Sequence, residues 1–284
     1  MSFRTSVFSL ILADQIQRSF RKSKLMSKIV SGLWAALILG VASFTDQNAS
    51  GQDSNAAGPA QPLKPPANGK INVAFIISDG ADVMDIAGPW EVFSDTMLTS
   101  KGNPWHESDG DDMAMPFTVY TVSDSLKPVD AGGLMIVPNY TFENAPKPQV
   151  IVIPAQGGRT DAQKAWLLAN STHADVTMSV CTGASMLAAY GLLDGKTATT
   201  HHMYQQAMQK KYPGVHFISG MRFVENGNVA TAGGLTSGVD LALHVVARYY
   251  GREVAEVTAG YLEYHGDLWK NPAYGEVKPV TAAK

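Results

Sequence analysis

The chain has a single cysteine, Cys181, among its 284 residues, and this scarcity sets a first limit on what the protein can be. One cysteine excludes an internal disulfide, so cysteine usage cannot report the redox compartment. The chain also lacks a large excess of positive or negative charge. Its formal net charge of −3 gives no electrostatic reason to expect nucleic acid as a partner. The remaining composition, 45% hydrophobic and 17% charged, is typical of a globular protein.

Long hydrophobic runs are scarce as well, and the one near the start of the chain is short. Residues 29–44 form an apolar run of sixteen residues, whereas a membrane-spanning helix needs about 20. A basic stretch that includes Arg21 and Lys28 precedes this run, and small residues follow it at 49–51. This order is typical of a secretory signal. We therefore expect residues 1–45 to be a signal peptide of an exported protein, periplasmic or secreted. The alternative is a retained N-terminal anchor, the one case in which a membrane would be a partner.

Composition divides the rest of the chain into three parts. Residues 46–69 are rich in Ala, Pro, Gly, Gln and Asn and predict a flexible linker. Residues 70–270 carry strand and helix patterns and predict one folded domain, followed by a C-terminal tail at 271–284. The acidic stretch around His106 and Asp109 lacks regular ligand spacing, so we expect a surface loop there, no metal site and no cofactor.

Short apolar runs in the predicted domain have the pattern of buried strands, and helical patterns follow them. The strand-like runs lie at residues 71–77, 117–122, 150–154 and 175–180. Strands that alternate with helices predict an α/β fold, a mostly parallel sheet with helices on both faces. Ligands in such sheets bind beyond the carboxyl ends of the strands. Because Asp85, Gly157, Gly158 and Cys181 each follow such an end, we expect them to converge.

The segment around Cys181 has the pattern of a nucleophile elbow. A strand-like run leads into the cysteine, and a small-residue helical run, 184–190, leads away from it. Gly183 suits the tight turn, and the first N–H groups of the helix would point at the sulfur and favour the thiolate. A buried, inert cysteine is the alternative. A second glycine pair, Gly233–Gly234, lacks the Lys-Ser/Thr partner of a phosphate loop, and we expect it to let a strand approach a helix closely.

These motifs together resemble a known family. The Asp turn at Asp85, the Ser-Val-Cys-Thr-Gly elbow, the Gly-Leu-Leu-Asp-Gly-Lys and Ala-Thr-Thr-His segments, and Gly-Gly-Leu-Thr-Ser-Gly-Val-Asp are similar to the ThiJ/PfpI superfamily. That superfamily has a flavodoxin-like, class I glutamine amidotransferase-like fold. The resemblance covers about residues 70–264. Within the superfamily it is strongest to the isonitrile hydratase branch and to the amidase-like domains of AraC-type regulators.

The resemblance assigns roles to individual residues. Cys181 matches the family nucleophile, and Asp85, in Asp-Ile-Ala-Gly-Pro, matches the acid of the hydratase branch. Backbone N–H groups of Thr182 and of Gly157 or Gly158 match the oxyanion hole. The turn Ile-Pro-Ala-Gln-Gly-Gly is longer than the usual Pro-Gly-Gly, which leaves open which of the two glycines faces the sulfur. Thr182 stands where the protease-like branch has a histidine, which disfavours a peptidase.

The histidines and the elbow glycine have weaker assignments. His201 matches a family Thr-Thr-His, and it could line the substrate pocket or satisfy core polar groups, as could His202. Gly183 is a second candidate for the pocket. Neither histidine is required as a base if Asp85 handles the proton.

The resemblance implies a cysteine-dependent enzyme, and most specifically an isonitrile hydratase-like lyase with a small-molecule substrate. Cys181 would attack the terminal isonitrile carbon, Asp85 would act as general acid, and water would release an N-formamide. The alternatives are an amidase- or glyoxalase-like hydrolase and a non-catalytic domain that senses a small molecule or redox state. The resemblance also implies a homodimer.

Overall fold

The computed structural model describes residues 61–98 and 114–281. The expected signal segment, most of the expected linker and the acidic loop lie outside them. The strands are β1 (Ile71–Ile76), β2 (Phe117–Ser123), β3 (Val129–Ala131), β4 (Leu134–Ile136), β5 (Tyr140–Thr141), β6 (Val150–Ile153), β7 (Val176–Ser179), β8 (Thr197–Ala198), β9 (His216–Met221), β10 (Phe223–Asn226), β11 (Val229–Ala232) and β12 (Ala273–Pro279). The helices are α1 (Val83–Ser94), α2 (Asp161–Ser171), α3 (Ala184–Ala189), α4 (Gln205–Lys211), α5 (Ser237–Tyr250) and α6 (Arg252–Tyr261).

The central sheet of the described chain has seven strands in the order β10-β11-β7-β6-β1-β2-β5. All neighbouring pairs are parallel except β10 and β11, which form an antiparallel hairpin. The predicted α/β fold with a mostly parallel sheet is therefore confirmed. Because β1, β6, β7 and β11 are parallel, their carboxyl ends lie at one edge of the sheet, and the segments that follow them meet there.

Helices cover both faces of this sheet, which explains why its central strands are apolar throughout rather than alternating. In β1, Val73 and Phe75 pack on one face in a cluster that includes side chains of α1, α5 and α6. Ala74 and Ile76 pack on the other face in a cluster with side chains of α2, α3 and α4. All four strand residues are fully buried. The sheet is thus a rigid support for the loops at its carboxyl edge.

Helix α1 carries one of the expected site residues into the interior. Asp82 caps its first turn by accepting the N–H of Met84 at 3.0 Å. Gly88 allows α1 to pack closely against α5, because a Cβ there would lie 2.9 Å from a methyl carbon of Val239. Asp85 falls in the first turn of α1 and is fully buried. None of the helices in the described part of the chain is both long and apolar enough to cross a membrane.

A second sheet, β12-β9-β8, extends the fold beyond the segment expected to be the domain. Residues 271–284 were expected to be a tail, but β12 pairs antiparallel with β9. Gly220 in β9 makes this pairing possible, because its φ is 81° and a Cβ would lie 2.4 Å from the carbonyl oxygen of Glu276. The expected linker also has an ordered end, since the N–H of Leu63 donates to the carbonyl of Arg248 on α5 at 2.8 Å.

Candidate active site

Cys181 follows β7 in a sharp turn with the backbone geometry of a nucleophile elbow. Its φ is 58°, a left-handed conformation that is strained for any residue with a Cβ. Two hydrogen bonds hold it there: its N–H donates to the carbonyl of Gly233 at 2.7 Å, and its carbonyl accepts the hydroxyl of Thr200 at 2.8 Å. Such strain costs on the order of 1–3 kcal/mol and is concentrated at functional sites.

Gly183 allows this elbow to sit tightly against the neighbouring strand. A Cβ at this position would lie 2.2 Å from the carbonyl oxygen of Ile153 and 2.9 Å from that of Pro154. A side chain cannot fit there unless the backbone moves. Gly183 therefore shapes the turn that presents Cys181. Gly183, which was expected as a pocket residue, is not among the residues that line the cavity beside the elbow.

Asp85 lies on α1 with its side chain buried in the site, and only one of its two carboxylate oxygens has a hydrogen-bond partner among the described residues. Its Oδ2 accepts the backbone N–H of Ala155 at 2.9 Å, whereas Oδ1 is buried without a hydrogen-bond partner among the described residues. Burial raises the pKa of Asp85 to about 7, and the Ala155 N–H opposes that rise. A carboxyl group that titrates near neutrality can serve as both proton donor and proton acceptor.

The pKa of the Cys181 thiol is raised, whereas the sequence predicted that it would be lowered. Burial raises the pKa of Cys181 to about 11, the negative charge of Asp85 adds to the rise, and the N–H of Thr182 opposes it. The prediction of a thiolate favoured by the helix N-terminus is therefore wrong. The N–H groups that it counted are present, but Cys181 is only 6% exposed and has lost the water that would stabilise a charge on its sulfur.

The two groups therefore hold one proton between them over a broad range of pH. Between about pH 7 and pH 11, Asp85 is ionised and Cys181 is protonated, so the pair carries one negative charge. Transfer of the proton from sulfur to Asp85 gives a thiolate beside a neutral carboxylic acid without changing that charge. This second arrangement places a nucleophile next to a proton donor.

Two backbone N–H groups approach the sulfur. One belongs to Thr182, as expected, and the other to Leu235, which also approaches the carboxylate of Asp85; each lowers the pKa of the group that it approaches. Leu235 has a φ of 50°, a second strained residue at the site. Sequence reasoning missed both Leu235 and Ala155, because they act through main-chain atoms that residue type does not reveal.

Of the two glycines expected to supply the second donor of the oxyanion hole, Gly157 has its N–H engaged elsewhere. The N–H of Gly157 donates to the carbonyl of Asp79 at 2.9 Å, so it is already engaged. A Cβ at Gly157 would lie 2.6 Å from that same oxygen, and one at Gly158 would lie 3.5 Å from the hydroxyl of Ser78. The two glycines thus pack the β6 turn against the β1 turn, while Ala155 of the same turn binds Asp85.

A cavity of about 420 Å³ lies beside the elbow. His201 lines it, as the sequence suggested, and stacks on His202 with ring centroids 4.5 Å apart. Its Nδ1 accepts the N–H of Met203 at 3.2 Å, so its Nε2 carries the hydrogen when the ring is neutral. Burial and the neighbouring His202 lower the pKa of His201. A Cβ on Gly234 would lie 2.3 Å from the His201 ring, so this glycine leaves room for the imidazole. A Cβ on Gly233 would lie 3.0 Å from Oγ of Ser237, the first residue of α5, so Gly233 does let the chain after β11 approach a helix closely, as expected.

No group of three or more His, Cys, Asp and Glu side chains in the described residues is arranged to hold a metal ion.

A parallel α/β sheet with a strained cysteine elbow at its carboxyl edge and a buried acid beside the sulfur defines a class of cysteine-centred α/β domains. The model of the DJ-1/PfpI family matches residues 71–248, so the chain belongs to the DJ-1/PfpI family. The resemblance inferred from the motifs is confirmed.

Comparison with known proteins places the chain near one enzyme and several regulators. It is 30% identical over 202 residues to an isonitrile hydratase of Pseudomonas putida, covering 68% of this chain and 78% of that protein. It is also 30% identical over 127 residues to the HTH-type transcriptional regulator GbdR of Pseudomonas aeruginosa, covering 43% of this chain but only 34% of the regulator.

Solved structures agree on the fold. The structure of a ThiJ/PfpI family protein from Pseudomonas syringae aligns with a TM-score of 0.58 at 28% identity, over 72% of this chain and 79% of that one. Drosophila melanogaster DJ-1beta aligns with a TM-score of 0.57 at 16% identity, over 69% of this chain and 100% of that one, and this shows a shared fold alone.

Proposed function

We propose that the protein is a cysteine-dependent lyase that adds water to a small isonitrile and releases an N-formamide. The observation that supports this most directly is the buried Asp85 carboxyl, whose charge raises the pKa of the Cys181 thiol. The similarity to an isonitrile hydratase over most of that protein's length supports the same choice. An isonitrile carbon needs both a nucleophile and a proton at one atom, which this pair can supply.

The first half of the proposed reaction forms a carbon–sulfur bond. The proton of the Cys181–Asp85 pair moves to Asp85, and the sulfur lone pair attacks the terminal carbon of the isonitrile. Asp85 then gives its proton to that same carbon, which becomes a thioimidate, R–N=CH–S–Cys181. Asp85 is left ionised. The N–H groups of Thr182 and Leu235 stabilise the sulfur anion before the attack.

The second half breaks that bond again. Water adds to the C=N carbon of the thioimidate, and Asp85 accepts one of its protons and passes it to the nitrogen. The tetrahedral adduct then expels sulfur, its hydroxyl proton goes to Asp85, and the carbon–oxygen double bond of R–NH–CHO forms. The expelled thiolate and Asp85 again hold one proton between them. One water is consumed in each cycle, and the protein is unchanged.

The test is conversion of a small alkyl isonitrile to its N-formamide by the purified protein, followed by proton NMR. Cys181→Ala should abolish the reaction, since no other thiol exists in the chain. Asp85→Asn should lower kcat by about 100- to 10,000-fold, typical of a lost general acid. Asp82→Asn, one turn earlier, keeps its helix-capping geometry and should keep most of the rate. Turnover that survives Cys181→Ala would refute the mechanism.

A second candidate function is a sensor domain, which the similarity to GbdR favours over 127 residues. A sensor would bind a small molecule at the same cavity without turning it over. The wild-type protein should then show ligand-dependent thermal stabilisation and no product with isonitriles, amides or glyoxals. Product from an amide or glyoxal alone would instead point to a hydrolase.

A further inference from the structure

The cavity beside Cys181 is lined by basic side chains and by no acidic one. Its charged or titratable members, apart from Tyr274, are Arg222, His201 and His202. Helix α5 begins at the same cavity with Thr236 and Ser237, so the positive end of its dipole lies there. Both features favour a bound group with a negative charge.

Arg222 is held in a fixed orientation by a buried partner. Its Nε donates to Oδ2 of Asp240 at 2.6 Å, and its Nη2 lies 2.6 Å from that oxygen and donates to the hydroxyl of Thr236 at 3.0 Å. Asp240 is fully buried, and its other oxygen accepts the hydroxyl of Tyr264 at 2.9 Å. Asp240 and Thr236 therefore fix the guanidinium in place, and Tyr264, which also lies against Arg222, holds Asp240. The same arginine lines the cavity.

The backbone of Arg222 is joined to that of Cys181 through one residue. The N–H of Gly233 donates to the carbonyl of Arg222 at 2.8 Å, and the carbonyl of Gly233 accepts the N–H of Cys181 at 2.7 Å. Thr200, which lines the cavity, also donates its hydroxyl to the carbonyl of Cys181. Leu235 lines the same cavity and its N–H approaches the sulfur, so a substrate with its reacting carbon at the sulfur can extend into the cavity. A volume of about 420 Å³ suits a small molecule.

We propose that the substrate is a small isocyano-carboxylate, whose carboxylate is bound in this cavity by the guanidinium of Arg222. The proposal rests on the proposed function and names the substrate class of that site. A pre-oriented guanidinium loses little conformational entropy on binding, and its planar donors match the oxygens of a carboxylate. His201, through Nε2–H, supplies a second donor on the cavity wall. The Asp240 partner keeps Arg222 in position and is not displaced.

The kinetic test compares isocyanoacetate with its uncharged methyl ester. In the wild-type protein kcat/KM should favour the acid by about 10-fold or more, as expected for one charge-assisted hydrogen bond of 1.5–3 kcal/mol. In Arg222→Gln/Asp240→Asn, which removes both members of the buried pair, the ratio of acid to ester should fall towards one. Arg252→Gln removes an exposed arginine on α6 and should leave the ratio unchanged. A wild-type preference for the ester, or a double variant that prefers the acid as strongly as the wild type does, would overturn the proposal.

A binding arm keeps the proposal separate from the proposed chemistry. Calorimetric titration of Cys181→Ala protein with N-formylglycine and with its methyl ester requires no turnover. The acid should bind at least about 10-fold tighter than the ester, and the difference should disappear when the double substitution is added. If isonitriles are not turned over but this difference holds, the function fails and the carboxylate site stands. If isonitriles are turned over but neither experiment shows a preference for the acid, the proposed carboxylate site is refuted and the proposed function is not. Circular dichroism of the double variant, matched to wild type, excludes unfolding as the cause.

Discussion

Replacement of Asp85 by asparagine should make the folded protein more stable at alkaline pH. Burial raises the pKa of Asp85 from 3.8 to about 7, and each unit is worth about 1.4 kcal/mol. The carboxylate therefore costs the folded state about 4 kcal/mol once the pH exceeds 7. Asparagine can still accept the Ala155 N–H through its oxygen. Its amide nitrogen replaces Oδ1, which is buried without a partner among the described residues. Burial of this unpaired donor reduces the gain in stability by about 1–2 kcal/mol.

The pH dependence has a definite sign. Below about pH 4 the carboxyl is neutral in both folded and unfolded chains, so it contributes nothing. Between about pH 4 and pH 7 the unfolded chain loses this proton while the folded chain keeps it, so wild-type stability falls with rising pH. The advantage of Asp85→Asn should therefore be absent or slightly reversed near pH 4 and should reach about 2–3 kcal/mol at pH 8.

Urea unfolding of wild type and Asp85→Asn, followed by circular dichroism at pH 4.5 and pH 8, measures this difference. Asp82→Asn is the matched control, because Asp82 is only partly buried and asparagine caps helices equally well. Equal stability differences at both pH values would refute the claim that burial of the Asp85 carboxylate is costly. A variant less stable than wild type at pH 8 would refute it as well.

Three further predictions concern activity, packing and assembly. The turnover of an isonitrile should rise as pH increases through about 7, where Asp85 ionises and the pair reaches its one-proton state; a profile flat from pH 5 to pH 9 would contradict this. Gly183→Ala should destabilise the protein by about 1–3 kcal/mol, because its Cβ would overlap the carbonyl oxygen of Ile153, whereas Gly214→Ala, with open space around its Cβ, should change stability little in urea unfolding. The family resemblance leads us to expect a homodimer, and light scattering that reports a monomer throughout the micromolar range would exclude it.

The fold and the convergence of the site were predictable, because hydrophobic runs define buried strands and parallel topology brings their carboxyl ends together. The elbow at Cys181 and the acid at Asp85 followed from the same pattern and from the family motifs. Strand β12 was not predictable, since its sequence contains Gly and Pro and lacks an alternating apolar pattern; its side chains are mostly exposed. Its pairing depends on the distant β9.

The electrostatics of the site could not be read from the sequence. The helix N-terminus behind Cys181 argued for a low thiol pKa, and Thr182 does contribute in that direction. The outcome depends on how completely the fold excludes water and on the charge of Asp85, which comes from another helix. Ala155 and Leu235 contribute only main-chain N–H groups, which any residue could provide. Such contributions become visible only when the loops at the sheet edge are placed in space.

Alkylation of Cys181 by iodoacetamide as a function of pH tests most directly whether Asp85 and Cys181 act as one pair. In wild type the main rise in rate should have a midpoint near 11, because burial and the Asp85 charge oppose the thiolate. In Asp85→Asn the negative charge is absent, so the midpoint should move to lower pH. A wild-type midpoint at or below that of a free thiol, about 8.5, or a midpoint that Asp85→Asn leaves unchanged, would contradict the pairing.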